Sequence, residues 1–204
     1  MRRRETFHPR SSARNPNADM STATTISGRP QASEYAYYYD RYISLVTGLD
    51  VLPILEQQGR DTLLLLAGGT EEEGNFRYAP GKWSAKEVLG HVCDTERILA
   101  YRALRIARAD TTPIEGFEQD DYVRNGRFTH RALADLIEDF IAVRRATISL
   151  LRNLDEHAWL RWGTASQNRF TVRALAYIIA GHELHHRRIL ADKYLAMTRR
   201  ERPR

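Results

Sequence analysis

The stretch TVRALAYIIAGHELHHRRIL (171–190) constrains this chain more than any other. Its apolar residues recur with the period of an α-helix, and histidines fall inside the apolar stripe. On a wheel turning about 100° per residue, Leu175, Ile178, Ile179 and Ile189 all lie within about 60° of His182. On the same wheel His186 lies about 40° from His182, His185 about 60° to the other side and Glu183 about 100° away. A helix with such a face buries it against others, and each imidazole on it then needs a partner. For one inward histidine a core hydrogen bond is sufficient explanation. Two at i and i+4 in the middle of one stripe point to a shared metal ion.

Three more long helical patterns precede this one. The first covers 50–66, with Asp50 as N-cap, Pro53 tolerated in the first turn and Gly68-Gly69 as a stop. The second opens on Ser84-Ala85-Lys86-Glu87, a capping box, and runs to about Ala109. Its apolar stripe is Val88, Val92, Thr95, Leu99, Ala103 and Ile106. The third is expected from the N-cap Thr129 to Leu154, and the fourth from Thr171 past Met197. No stretch alternates with strand chemistry, so the chain reads as all-α, a four-helix bundle. The connection 110–128 is long enough to cross over and let the second and third helices run parallel. Five tyrosines between Tyr35 and Tyr42 read as a packing segment leading into the bundle rather than a binding platform.

A length of 204 residues suits one domain with a real core. The longest apolar runs, such as Leu63 to Ala67, are far too short to cross a bilayer. A net charge of +5 would admit a nucleic-acid partner, but its placement argues against one. Residues 1–33 hold six arginines against Glu5 and Asp19, and residues 199–204 hold four against Glu201. The remaining domain, 34–198, is therefore slightly acidic, and neither nucleic acid nor a membrane is expected as a partner. Residues 1–33 lack hydrophobic periodicity and read as a disordered extension, or as sequence ahead of a true start at Met20. Their Arg- and Ser-rich composition resembles a transit peptide without the amphipathic helix of one. Residues 199–204 form a basic tail. A single cysteine, Cys93, fits a reducing compartment, with the cytoplasm as the default.

His182-Glu183-Leu184-His185-His186 also fits H-E-x-x-H, the zinc motif in which the glutamate is a general base. That reading fails on its third ligand. The extended form of the motif needs a Gly and a His downstream, where this chain has Ile189 and Asp192. A continuing helix carries Asp192 about 9 Å along the axis from His186. Upstream, His91, His130 and His157 remain as candidates. His130 opens the third helix and His157 lies in a polar loop, both suited to solvent. His91 sits about 80° from the centre of its helix's stripe, where it can still face a neighbour. Asp94, one turn on, is placed to orient its ring. Cys93 points about 160° away from His91 and is no ligand. Arg102, about 20° from the His91 line, reads first as half of an ion pair and second as a seat for an anionic substrate.

The segments GKWSAKEVLGHVCDTERILAYRALRIARAD (81–110) and TVRALAYIIAGHELHHRRIL resemble the DinB-like superfamily, which includes the YfiT-like group, over about residues 35–195. The motifs that carry it are W-S-x-x-E-x-x-G-H and a late G-H-x-x-x-H. The resemblance implies a bundle of up-down-down-up connectivity, often dimeric, with one metal held by His91, His182 and His186. It implies a divalent ion, zinc or nickel foremost, and a small-molecule substrate. The activities it implies are a hydrolase or an S-transferase using a low-molecular-weight thiol such as bacillithiol or mycothiol. A non-catalytic metal- or ligand-binding bundle for stress response would carry the same ligands, and a purely structural bundle would bind no metal. Phe117, Glu118, Asp120, Asp121 and Tyr122 are equally a substrate wall and a solvated acidic loop.

Overall fold

The structure is a computed structural model that describes residues 28–200. Residues 1–27 and 201–204, with most of the expected extension and tail, lie outside the described residues. Four long helices form the body: α1 (Val51–Leu66), α2 (Ala85–Ala107), α3 (Leu133–Arg152) and α4 (Val172–Ile189). Caps start three of them. The Asp50 carboxylate accepts from the Leu52 amide at 3.1 Å and Thr171 Oγ1 from the Ala174 amide at 3.0 Å. Ser84 and Glu87 make the reciprocal box, each side chain accepting the other's backbone N–H. Gly68, at a left-handed φ of 67°, turns the chain out of α1.

Named contacts give the direction of each helix. Along α1 and α4, Gln58 donates to the Ala180 carbonyl and Thr62 to Glu183, so the two advance together. Along α2 and α3, Arg97 meets Asp139, and further on Leu104 and Leu150 line one groove, so these also run parallel. Glu56 pairs with Arg152 whereas Gly69 faces Leu133, which makes α1 and α3 antiparallel. Tyr194, beyond α4, donates to the Trp83 carbonyl ahead of α2, and His182 meets His91, which makes α2 and α4 antiparallel. The connectivity is up-down-down-up. At the centre, Arg144 donates to both Glu96 oxygens (2.8–3.2 Å) and to the Leu55 carbonyl. That pair is buried on both sides, and it ties α1, α2 and α3 together.

Three local expectations are corrected. Thr129 does not cap α3: it lies in the 3₁₀ turn Phe128–His130, and α3 starts after Ala132. Its first amide, on Leu133, is satisfied instead by the Glu71 carboxylate at 2.8 Å. A strand pair also exists, β1 (Trp162–Ala165) and β2 (Asn168–Thr171), running straight into α4. Its turn residues Ser166 and Gln167 both hold left-handed φ, which lets a two-residue loop close the hairpin. The 110–128 connection contains a helix of its own, Gln119–Gly126.

Residues 28–30, expected within the extension, pack on the domain: Arg29 donates to the Ile43 and Val46 carbonyls. Among the described residues no helix is long and apolar enough to cross a membrane.

Candidate metal centre

His91 lies two turns into α2, and His182 and His186 occupy successive turns of α4. Because α2 and α4 are antiparallel, the three rings meet. His91 Nε2 lies 3.1 Å from His182 Nε2, and one ring nitrogen from each of the three lies within 4.8 Å of the others. A tetrahedral ion with bonds of 2.0–2.1 Å needs its imidazole nitrogens roughly 3.4 Å apart. The donor set fits one ion of that kind. His130 and His157 are exposed and not part of this cluster, and His185 stacks edge-on to Tyr42 and His186 without joining it.

Burial sets the charge state. His91 is 4 % exposed and His182 7 %. Burial lowers His91 to a pKa of about 4, against a small opposing pull from Asp120. Burial and the neighbouring imidazoles lower His186 to about 3 and His182 well below its ordinary value. The three are neutral at pH 7, the form that ligates a metal.

The glycine before each first histidine has a steric reason. A Cβ on Gly181 would collide with the backbone carbonyl of Tyr42, and one on Gly90 with the ring of Phe128. The glycines thus let two connecting segments lie directly on the helices at the level of the histidines. The Tyr42 ring lies 5.3 Å from that of His182, and the Trp83 ring 4.9 Å from that of His91. Thr95 Oγ1, not Asp94, approaches His91 Nδ1 (3.4 Å), while Asp94 pairs with Arg97. Thr95 is one turn beyond His91, and that i+4 spacing is the signal for it.

Above the rings is a cavity of about 670 Å³. His91 and His182 face it, and Thr95, Leu99 and Arg102 continue its floor along α2. Tyr38, Tyr39 and Tyr42 form one wall, so the tyrosine segment does more than pack; Phe117, Glu118, Asp121 and Tyr122 form the other. Asp120 and His186 instead face a second opening of about 280 Å³. Arg102 has no carboxylate partner among the described residues, which corrects its reading as half of an ion pair.

Glu183 faces α1, as its place on the wheel requires. It accepts from Thr62, and burial raises its pKa against the pull of Arg144. Glu183→Gln is expected to keep full metal occupancy, measured by elemental analysis of the dialysed protein. Loss of the ion from a folded Gln variant would return Glu183 to the centre.

The model of the DinB superfamily matches residues 54–190, two thirds of the chain. The chain belongs to the DinB superfamily. No curated protein matches it. Among solved structures it is similar to YfiT from Bacillus subtilis, with a TM-score of 0.65 and 14 % identity, covering 84 % of this chain and 94 % of that one. YfiT is described as "a probable metal-dependent hydrolase with an unusual four-helix bundle topology". At that identity the similarity shows the four-helix bundle fold alone.

Proposed function

We propose that this DinB-superfamily protein is a metal-dependent enzyme in which His91, His182 and His186 hold one divalent ion, zinc or nickel foremost. The observation that supports this most is the convergence of three neutral imidazoles, two buried and one half-buried, beside a cavity large enough for a small-molecule substrate. A divalent ion there supplies Lewis acidity, lowering the pKa of a water or thiol that reaches it. The chain's own residues prepare the place. Burial keeps the imidazoles unprotonated, Thr95 and Trp83 fix the His91 ring, and Tyr42 covers His182.

The one cysteine of the chain does not compete for the role. Cys93 is 1 % exposed, its thiol pKa is pushed up by burial, and it packs with Val92 and Leu136 away from the cavity. The reaction class is a hydrolysis or the transfer of a low-molecular-weight thiol. The triad stands between two openings, one reached by His91 and His182 and the other by His186, which supports a two-substrate reaction of thiol and electrophile. A homodimer is supported by the apolar groove between α2 and α3, where Tyr101 is half exposed beside Leu104 and Leu150. The solitary Cys93 supports a reducing, cytoplasmic location.

The test is elemental analysis of protein purified without a histidine tag, followed by assays pairing thiols with electrophiles and assays of hydrolysis. About one ion per chain with turnover supports the enzyme. One ion with no turnover on any pairing favours a binding protein, and an ion-free protein that cannot be loaded removes the reading.

A further inference from the structure

His91, Thr95, Leu99 and Arg102 lie on one face of α2 and together make the cavity floor. Arg102 closes its far end. The side chain is 2 % exposed, yet it has no acid beside it. Its Nη2 donates to the Glu115 carbonyl at 3.0 Å and the Ser166 hydroxyl at 2.8 Å, while its Nε is buried with no partner at all. Burial works against its charge, and only the Tyr39 hydroxyl leans the other way. A buried guanidinium with a free donor and no counter-charge is a costly arrangement, and a bound anion relieves it.

We propose that Arg102 seats a carboxylate at one end of an elongated substrate whose other end reaches the three histidines. The proposal rests on the reading of those histidines as the reacting centre. Eleven residues of helix separate His91 from Arg102, roughly 16 Å along the axis, so an ion as short as acetate cannot touch both ends. Leu99 and Ile178 between them offer apolar surface to the intervening carbons. The charge of the group follows from the rim. Glu118 and Asp121, the latter paired with Arg124, line the same cavity away from Arg102, and such an acidic rim suits a monoanion over a doubly charged phosphate.

The probe is the homologous series from acetate to hexanoate, with hexanamide as the neutral match. It is titrated calorimetrically into the full-length protein as purified and after metal removal. Affinity is expected to rise about fourfold per methylene along the series. Arg102→Gln is expected to weaken hexanoate binding roughly tenfold to a hundredfold, the range for a charge-assisted hydrogen bond, with partial rescue by Arg102→Lys. Retention of hexanoate binding after metal removal separates this result from the fate of the metal reading, which elemental analysis decides alone. Equal binding of hexanoate and hexanamide by the wild-type protein overturns the proposal without any variant. So does hexanoate binding that Arg102→Gln leaves intact, or that vanishes with the metal.

Discussion

His182→Ala is expected to abolish stoichiometric metal binding while leaving the helices in place. His182 approaches both other rings, which also approach each other, at 4.9 Å between ring centres. It lies 3.1 Å from His91 Nε2, and its ring centre is 4.5 Å from that of His186. Two imidazoles hold an ion loosely, and the polar groups beside His91 and His182, Thr95 and Tyr42, are poor replacements. The loss should therefore exceed the roughly 10–100-fold that removing a supporting partner of a ligand costs. His91→Ala and His186→Ala should behave alike, whereas His130→Ala and His157→Ala, both at exposed positions, should change nothing. Competition titration with a metal-sensitive dye measures the affinity, and circular dichroism checks the helix content. Full occupancy in any of the three variants removes that histidine from the centre.

The same burial fixes the sign of the pH dependence. Folding lowers the pKa of each of the three imidazoles, to about 4 for His91 and about 3 for His186. Protons therefore begin to compete with an ion only near pH 4, about two units below an ordinary histidine. In the metal-free protein the unfolded chain takes up protons on these residues below about pH 6.5 and the folded chain does not, so stability falls as pH falls through that window.

How much of this was legible depends on how far each residue's partner lies along the chain. The starts of α1, α2 and α4 could be read because Asp50, Ser84 and Thr171 satisfy amides two or three residues away. The start of α3 could not, because the group that satisfies Leu133 is Glu71, 62 residues upstream. The hairpin before α4 was hidden by its turn: Ser166-Gln167 adopts left-handed φ without the Asn-Gly or Asp-Gly that marks such turns. At the site, periodicity alone put His182 and His186 on the inner face of one helix. It left His91 beside His130 and His157, because a wheel gives the direction of a side chain and not its neighbour. Resemblance to the DinB-like superfamily singled out His91, and the antiparallel meeting of α2 and α4 is what brings it to the other two. Arg102 shows the same limit: its direction could be read, but the lack of an acid opposite it could not.

Gly181→Ala is expected to destabilise the protein although it replaces glycine by alanine in mid-helix. In an open helix that exchange stabilises by about 1 kcal/mol. Here the new Cβ would fall on the carbonyl oxygen and carbon of Tyr42. These are backbone atoms, which cannot rotate aside as a side chain does. Either the segment carrying Tyr42 lifts from α4 or the helix shifts, and overpacking of this kind costs about 1–3 kcal/mol. For a chain of this size that is a fall in Tm of about 2–12 °C. Gly59→Ala supplies the contrast, since its Cβ would meet only the Arg144 side chain, at 3.3 Å, and a shift of a few tenths of an ångström relieves that contact. It should be close to neutral. Because the displaced segment also carries Tyr38 and Tyr39, the Gly181 variant should lose affinity for cavity ligands beyond its loss of stability. A Gly181→Ala protein as stable as the wild type would mean that Tyr42 does not rest on α4, and that the tyrosine wall of the cavity is held by something else.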